Sequence, residues 1–369
     1  MTFVWRLEPA AKVSAVTAMW RGLVEPSTFA FTTMLGVFVT VSLLIGVALT
    51  PATIAGPLGA YFPRSIKDSE GFATREALQL ATSTATDRPR LIVIGNSIVA
   101  QSFASGALTS RDLAEATGRP WHVSMLTTPL QGPLDEAALA DVATQTRPAV
   151  VMLSLGFERY GAPPGEYRKL YQLRRLGLRS EWADGAARAL GISPFPLTGI
   201  YAVDNSSFLL RNAGAAGLRL LSQSALVPRV DTFLLDPPLT TAQRIDRRAK
   251  IHALFLKGVH PDHLAIDMLA NTVRRLQERG SKVILFEQPI SPGLFDGAAD
   301  RALYRAYLAK SAAIATAMGA FYCRPDAARE PGPSEFPDYL HLGDPLAQGR
   351  LRRSLASCAA VVGAPGGRL

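Results

Sequence analysis

The sequence holds only two cysteines and five histidines in 369 residues. Two thiols cannot staple a small loop-rich fold, so a disulfide-framework miniprotein is excluded. Charged residues are also scarce, at 19% against the roughly 25% of an ordinary soluble domain. With 48% hydrophobic residues beside them, that scarcity excludes intrinsic disorder, which needs few apolar side chains and dense charge. The 30 Gly and 26 Pro are scattered with no period of roughly 20–50 residues, which excludes collagen-like and solenoid architectures. A chain of this length buries a full core and forms one large domain or two modest ones. The net charge is +9, the pI about 9.8 and the mean hydropathy +0.15.

Charge is missing altogether between Glu25 and Arg64. Within that window Phe29 to Leu49 reads FAFTTMLGVFVTVSLLIGVAL, long enough as a helix to cross the ~30 Å hydrocarbon layer. Pro26 and Pro51 bracket it. A cleaved signal peptide would carry a shorter apolar region near its N-terminus and a small-residue cleavage site. The expectation is an uncleaved signal anchor over 29–50 that contacts the lipid bilayer, after a cytoplasmic segment 1–28 containing Trp5 and Trp20. Arg6, Lys12 and Arg21 outnumber Glu8 and Glu25 ahead of it. By the positive-inside rule the body then lies on the periplasmic or extracellular side.

Beyond a linker at 51–88 the chain alternates strand and helix. Leu91–Ile94, Trp121–Leu126, Pro148–Leu155, Lys282–Glu287 and Ala320–Cys323 read as short strands, several of them continuous apolar runs. Ser110 (as N-cap) to Gly118, Asp135–Thr146, Leu264–Arg279, Arg301–Met318 and Leu346–Val362 read as helices. The pattern predicts an α/β domain over 89–362, a parallel sheet with helices on both faces in three layers. Functional groups are expected just past the C-terminal strand ends.

Residues 159–257 interrupt the alternation. They hold 15 of the 39 Lys+Arg but only 7 of the 30 Asp+Glu, and so eight of the nine net positive charges. Arg174-Arg175 and Arg247-Arg248 stand there with Tyr160, Tyr167, Tyr171, Trp182, Phe195 and Tyr201. Such an insert suits an anionic polysaccharide, lipid headgroups or an acidic protein; a solvated basic lid is the plainer alternative. No nucleic-acid motif is present, and no nucleic acid is expected as partner.

Ser97 follows the first strand directly in Gly95-Asn96-Ser97, where a tight turn leads into a helix start that favours a developing anion. Near the other end stands Phe336-Pro337-Asp338-Tyr339-Leu340-His341. An Asp three residues before a His brings carboxylate and imidazole to one pocket. His341 would act as general base toward Ser97, with Asp338 fixing its tautomer. His260-Pro261-Asp262-His263 has metal-like residue types without a third ligand, and Asp262 is more simply a helix cap. His122 and His252 read as structural. Cys323 and Cys358 either pair or remain two buried thiols. No metal or other cofactor is called for.

In this order, with a Gly after the second and third strands, the chain resembles the SGNH (GDSL-like) hydrolase superfamily. It is similar in particular to membrane-anchored members that modify cell-surface polymers, such as polysaccharide O-acetyltransferases and D-alanyl-transfer proteins. The resemblance covers residues 90–160 and 280–360 and implies a flavodoxin-like SGNH domain. It implies Ser97 as nucleophile, Asp338 and His341 as triad partners, and Gly132 with the Ser97 N–H as oxyanion donors. The superfamily's third block is Gly-x-Asn, whereas this chain has Gly156-Phe157-Glu158. A carboxylate cannot donate when ionised, and losing one oxyanion donor costs about 10²–10³ in rate. Either another donor substitutes, Asn96 or an insert residue, or the enzyme is slow, or the chain is not an enzyme; Gly156 is a further oxyanion candidate. The resemblance further implies acyl-serine chemistry, acetyl transfer or ester hydrolysis on an exported polysaccharide, with a membrane-bound O-acyltransferase upstream. A catalytically inactive scaffold of a membrane complex is the alternative from another class.

Overall fold

Five short apolar segments pair into one parallel sheet: β1 (Arg90–Gly95), β2 (His122–Thr127), β3 (Val150–Leu155), β4 (Lys282–Glu287) and β5 (Phe321–Cys323). Their order across the sheet is β2-β1-β3-β4-β5, which places the reversal of strand order between β1 and β3, where doubly wound sheets open a crevice. The computed structural model describes residues 28–60, 69–83, 87–157, 165–166, 176–212, 239–260, 263–295, 297–325 and 330–364. Residues 1–27, Glu158, Tyr160, Tyr167, Tyr171, Arg174, Arg175 and Asp262, and the expectations placed on them, lie outside the described residues.

The chain divides into units at residues 1–50 and 51–369. The first contains α1 (Thr28–Ala48), 21 residues without a charged side chain. Among the described residues no helix is long and apolar enough to cross a membrane.

Among the described residues of the second unit, the helices longer than a turn or so are α2 (Ser69–Thr82), α3 (Ser97–Phe103), α4 (Gly106–Thr117), α5 (Pro133–Ala143), α6 (Glu181–Ala189), α7 (Thr241–Gly258), α8 (His263–Glu278), α9 (Ala298–Ala317) and α10 (Pro345–Gly363). Side chains alternate across each strand. Leu91, Val93, Val150, Met152, Ile284 and Phe286 therefore share one face and join Phe103 of α3, Leu113 of α4 and Leu351 and Leu355 of α10 in a single core. Ile92, Ile94, Val151 and Leu285 are equally buried on the other face, where α5 and α8 pack. Burial on both faces is why these strands read as unbroken apolar runs.

Three expectations change in the structure. Helix α4 begins earlier than expected, because Ser105 rather than Ser110 caps it, its Oγ accepting from the Leu108 N–H at 3.1 Å. Ser110 instead donates to the Trp121 carbonyl at 2.7 Å. The stretch expected as a linker contains α2, whose Phe72, Ala73, Ala77 and Leu78 are buried against α5 and β2. The insert is more than a solvated lid. Its Trp182 is buried with Arg275 of α8 and Arg279 just after that helix at 5.4 and 5.5 Å from the ring, and α7 sinks Ile251 and Phe255 into a second core with Phe157, Phe295 and Tyr307. The helix stops at Gly118 and Gly280 stand as expected, with φ of +71° and +77°. Cys323 and Cys358 form a disulfide that joins β5 to α10 with Cα atoms 6.0 Å apart.

Candidate active site

The turn out of β1 needs Gly95, because a Cβ there would lie 2.4 Å from Val99 Cγ2. Asn96 then caps α3, its Oδ1 accepting from the Ile98 and Val99 N–H groups at 3.0 and 3.4 Å. Ser97 becomes the first residue of the helix, half-buried at the strand end. Gln288, one residue past β4, donates from Nε2 to Asn96 Oδ1 at 3.3 Å and to Ser154 Oγ at 3.0 Å. One amide thus ties together the ends of β1, β3 and β4. Sequence reasoning missed it; its signal was position, immediately after a buried strand.

The second part comes from the loop before α10. Phe336 and Leu342 are fully buried and pin both ends of the segment carrying Asp338 and His341. Between them Asp338 Oδ1 accepts from the backbone N–H groups of Leu340 at 3.2 Å and His341 at 2.8 Å, closing an aspartate turn. Tyr339, inside that turn, has φ of +71°, a conformation an L side chain adopts only when its surroundings hold it there. The Tyr339 carbonyl accepts from the Ser291 N–H at 2.9 Å.

The turn aims both groups at Ser97. Asp338 Oδ2 lies 2.7 Å from His341 Nδ1, and His341 Nε2 lies 2.9 Å from Ser97 Oγ. Burial alone would push the Asp338 carboxyl up, but the hydrogen bonds and charge of His341 and the backbone bond to Leu340 outweigh it and hold the group down at about 2. An ionised carboxylate can only accept, so Nδ1 carries the proton. In the neutral ring Nε2 is then the acceptor, positioned to take the Ser97 hydroxyl proton. Arg247 of the insert also contacts Asp338 Oδ2, at 3.3 Å. The structure thus brings Ser97, Asp338 and His341 together as the sequence anticipates.

The expected oxyanion donors fare differently. Gly132 precedes α5, and its N–H donates to Asp135 Oδ2 at 3.2 Å. A carboxylate thus occupies the N–H that was expected to serve as a donor, and its charge would oppose an oxyanion beside it. The Asn96 side-chain oxygen is committed to the start of α3 and to Gln288. Gly156 closes β3, next to β1 in the sheet.

A cavity of about 250 Å³ opens past the ends of β4 and β5, lined among others by Glu287, Gln288, Ile290, Tyr304, Arg305 and Arg324. It shares Gln288 with the site, but none of the three triad residues lines it. His122 lies 3.3 Å from Ser124 Oγ and His252 lies 3.2 Å from Asp300. Among the described residues no group of three His, Cys, Asp or Glu could hold a metal ion. Comparison with protein-family models finds no match to this chain, and comparison with curated proteins finds none either.

Proposed function

We propose that the protein is a membrane-anchored serine acyltransferase or esterase, with acetyl as the transferred group and an exported polysaccharide as acceptor. The observation that carries this is the unbroken pair of hydrogen bonds from Ser97 Oγ through His341 to Asp338, on the C-terminal edge of a parallel sheet. The arrangement is similar to the SGNH hydrolase superfamily in order, Ser…Asp…His, and in placement.

In the proposed reaction His341 Nε2 takes the Ser97 Oγ proton as Oγ bonds to the acyl carbonyl carbon of an ester or thioester. Asp338 remains ionised and supports the imidazolium. The tetrahedral oxyanion accepts a hydrogen bond from the Ser97 N–H. Its collapse breaks the bond to the leaving group, which takes the proton from His341 and departs, leaving acyl-Ser97. A sugar hydroxyl, or water in an esterase, then gives its proton to Nε2 and attacks the acyl carbon. The second collapse releases the ester or acid, and His341 returns the proton to Ser97.

The anchor rests on the uncharged run 29–49, whose Phe31, Met34, Phe38 and Leu44 are exposed. An oxidising location for the body is supported by the Cys323–Cys358 disulfide and by the cationic N-terminus. We place the body on the periplasmic or extracellular side, with a membrane-bound O-acyltransferase as acyl source and the basic insert facing an acidic polysaccharide or an acidic protein. The experiment is covalent labelling of the full chain with a fluorophosphonate and with an acetyl-ester probe, Ser97→Ala serving as control. Labelling confined to Ser97 is expected. Folded protein that takes neither label would overturn the enzyme reading and leave the scaffold reading. That second reading is favoured by two observations, the engaged Gly132 N–H and Glu158 in the superfamily's Asn position.

A further inference from the structure

Helix α7 belongs to the basic insert, yet one of its faces ends on the catalytic loop. Arg244, Arg247, Ile251 and Phe255 recur at helical spacing and share that face. Ile251 and Phe255 are buried in the second core, which sets the rotation of the helix. Arg244 then donates to the carbonyls of Phe336 at 3.3 Å and Pro337 at 3.1 Å, and its guanidinium lies 5.1 Å over the Tyr339 ring. Arg247 Nη2 lies 3.3 Å from Asp338 Oδ2, the oxygen that His341 Nδ1 holds at 2.7 Å.

We infer that Arg244 and Arg247 are positioning residues, by which the insert holds the Asp338–His341 loop against Ser97. The inference rests on the triad reading above. Such a hold suits the loop, since Tyr339 sits at φ of +71°, a conformation that persists only where the surroundings support it. Arg244 fixes its backbone from outside, while Arg247 bonds one lobe of the Asp338 carboxylate and leaves the other to the backbone N–H groups. Of the other charged groups in the loop, Glu335 is tied off by Arg350 of α10 at 2.5 Å and the Gly332 N–H at 2.7 Å, Glu330 pairs with Arg324, and Asp344 caps α10. Ser97, on the side of β1, is uncharged. Among the described residues Arg247 is therefore the insert cation that bonds the Asp338 carboxylate.

The test uses the full chain in detergent with Arg247→Gln, Arg247→Lys and Arg244→Gln. Histidine-selective NMR follows the titration of His341, assigned with His341→Gln. A guanidinium beside Asp338 disfavours the imidazolium, so Arg247→Gln should raise the His341 midpoint by about half a pH unit or more. Arg247→Lys keeps the charge and should reverse most of that shift. Labelling of Ser97 on its alkaline plateau should fall about tenfold in Arg247→Gln, short of the ~10²-fold that an ångström of misplacement causes. Arg244→Gln should slow labelling while leaving the midpoint in place. A midpoint that moves less than about 0.1 unit in Arg247→Gln overturns the inference, as does a shift that Lys fails to reverse. If the midpoint shifts as expected but wild-type Ser97 takes no label, the catalytic reading fails and the loop contact stands.

Discussion

Replacing Asp338 with Asn removes one charge and little volume, and two separable consequences follow. The first is chemical. An Asn side chain can still accept from the Leu340 and His341 N–H groups through its oxygen, so the turn survives. Its other terminal atom becomes an NH2 facing His341 Nδ1, in place of an oxygen 2.7 Å away. Nδ1 must then accept, the ring proton moves to Nε2, and Nε2 can no longer take the Ser97 proton. A change of tautomer of this kind lowers turnover about 10⁴-fold in a serine hydrolase. The second consequence is energetic. The Asp338 carboxyl is depressed from 3.8 to about 2, nearly two pK units, worth about 2.5 kcal/mol at most. Because the folded-state value lies below the unfolded one, that stabilisation is fully present above pH ~4. It falls to about half by pH 3 and vanishes below about 2. Asp338→Asn should therefore lower the thermal midpoint at pH 7 by about 4 °C, and the gap to wild type should shrink on acidification. Fluorophosphonate labelling rates and thermal scans on the full chain measure both effects. Wild-type labelling by the variant, or a stability gap of the same size at pH 7 and pH 3, would refute the reasoning.

Two other predictions concern the frame behind the site. The Cys323–Cys358 bridge closes a separation of 35 residues, for which chain entropy gives about 4 kcal/mol. The Cys323→Ser/Cys358→Ser double variant should melt well below wild type, and reductant should lower the wild-type midpoint without moving the variant's; equal midpoints would count against a bridge in solution. Arg352 of α10 bonds Asp112 of α4 at 2.6 Å with both side chains buried. Arg352→Met leaves the buried carboxylate only the exposed Arg111, 3.8 Å away, and should cost about 3 kcal/mol. Adding Asp112→Asn should recover most of that loss, and a double variant no more stable than Arg352→Met would show that the pair is not the cause.

Much of the sheet was legible because its signal is local. A strand buried on both faces is an apolar run whatever lies around it, and β1, β3 and β4 fall within a residue or two of their expected bounds. The same locality made Ser97, Asp338 and His341 readable, a serine at a strand end and a carboxylate one aspartate turn from an imidazole. The contact of the Gly132 N–H with Asp135 is local too. Gly132-Pro133-Leu134-Asp135 is a helix start in which the residue at the third position reaches back to the first N–H. The placement of the net charge was not local. Arg247 pairs with Asp338 and Arg244 bonds two carbonyls, all outside the insert, so part of the insert's excess of cations is engaged inside the protein.

The two cysteines with which the sequence is so sparing mark the boundary. By itself the sequence determined an uncharged apolar run near the start, an alternating α/β body, and a serine at a strand end with an aspartate three residues before a histidine further on. Whether Cys323 meets Cys358, that Gln288 bridges three strand ends, and that Arg244 and Arg247 reach a loop some ninety residues away were decided only in the tertiary structure. Periodicity and capping act over one or two turns of chain. Contacts between distant segments depend on how helices rotate into a shared core, and for α7 that rotation is set by Phe255 and Ile251 packing on partners from other elements.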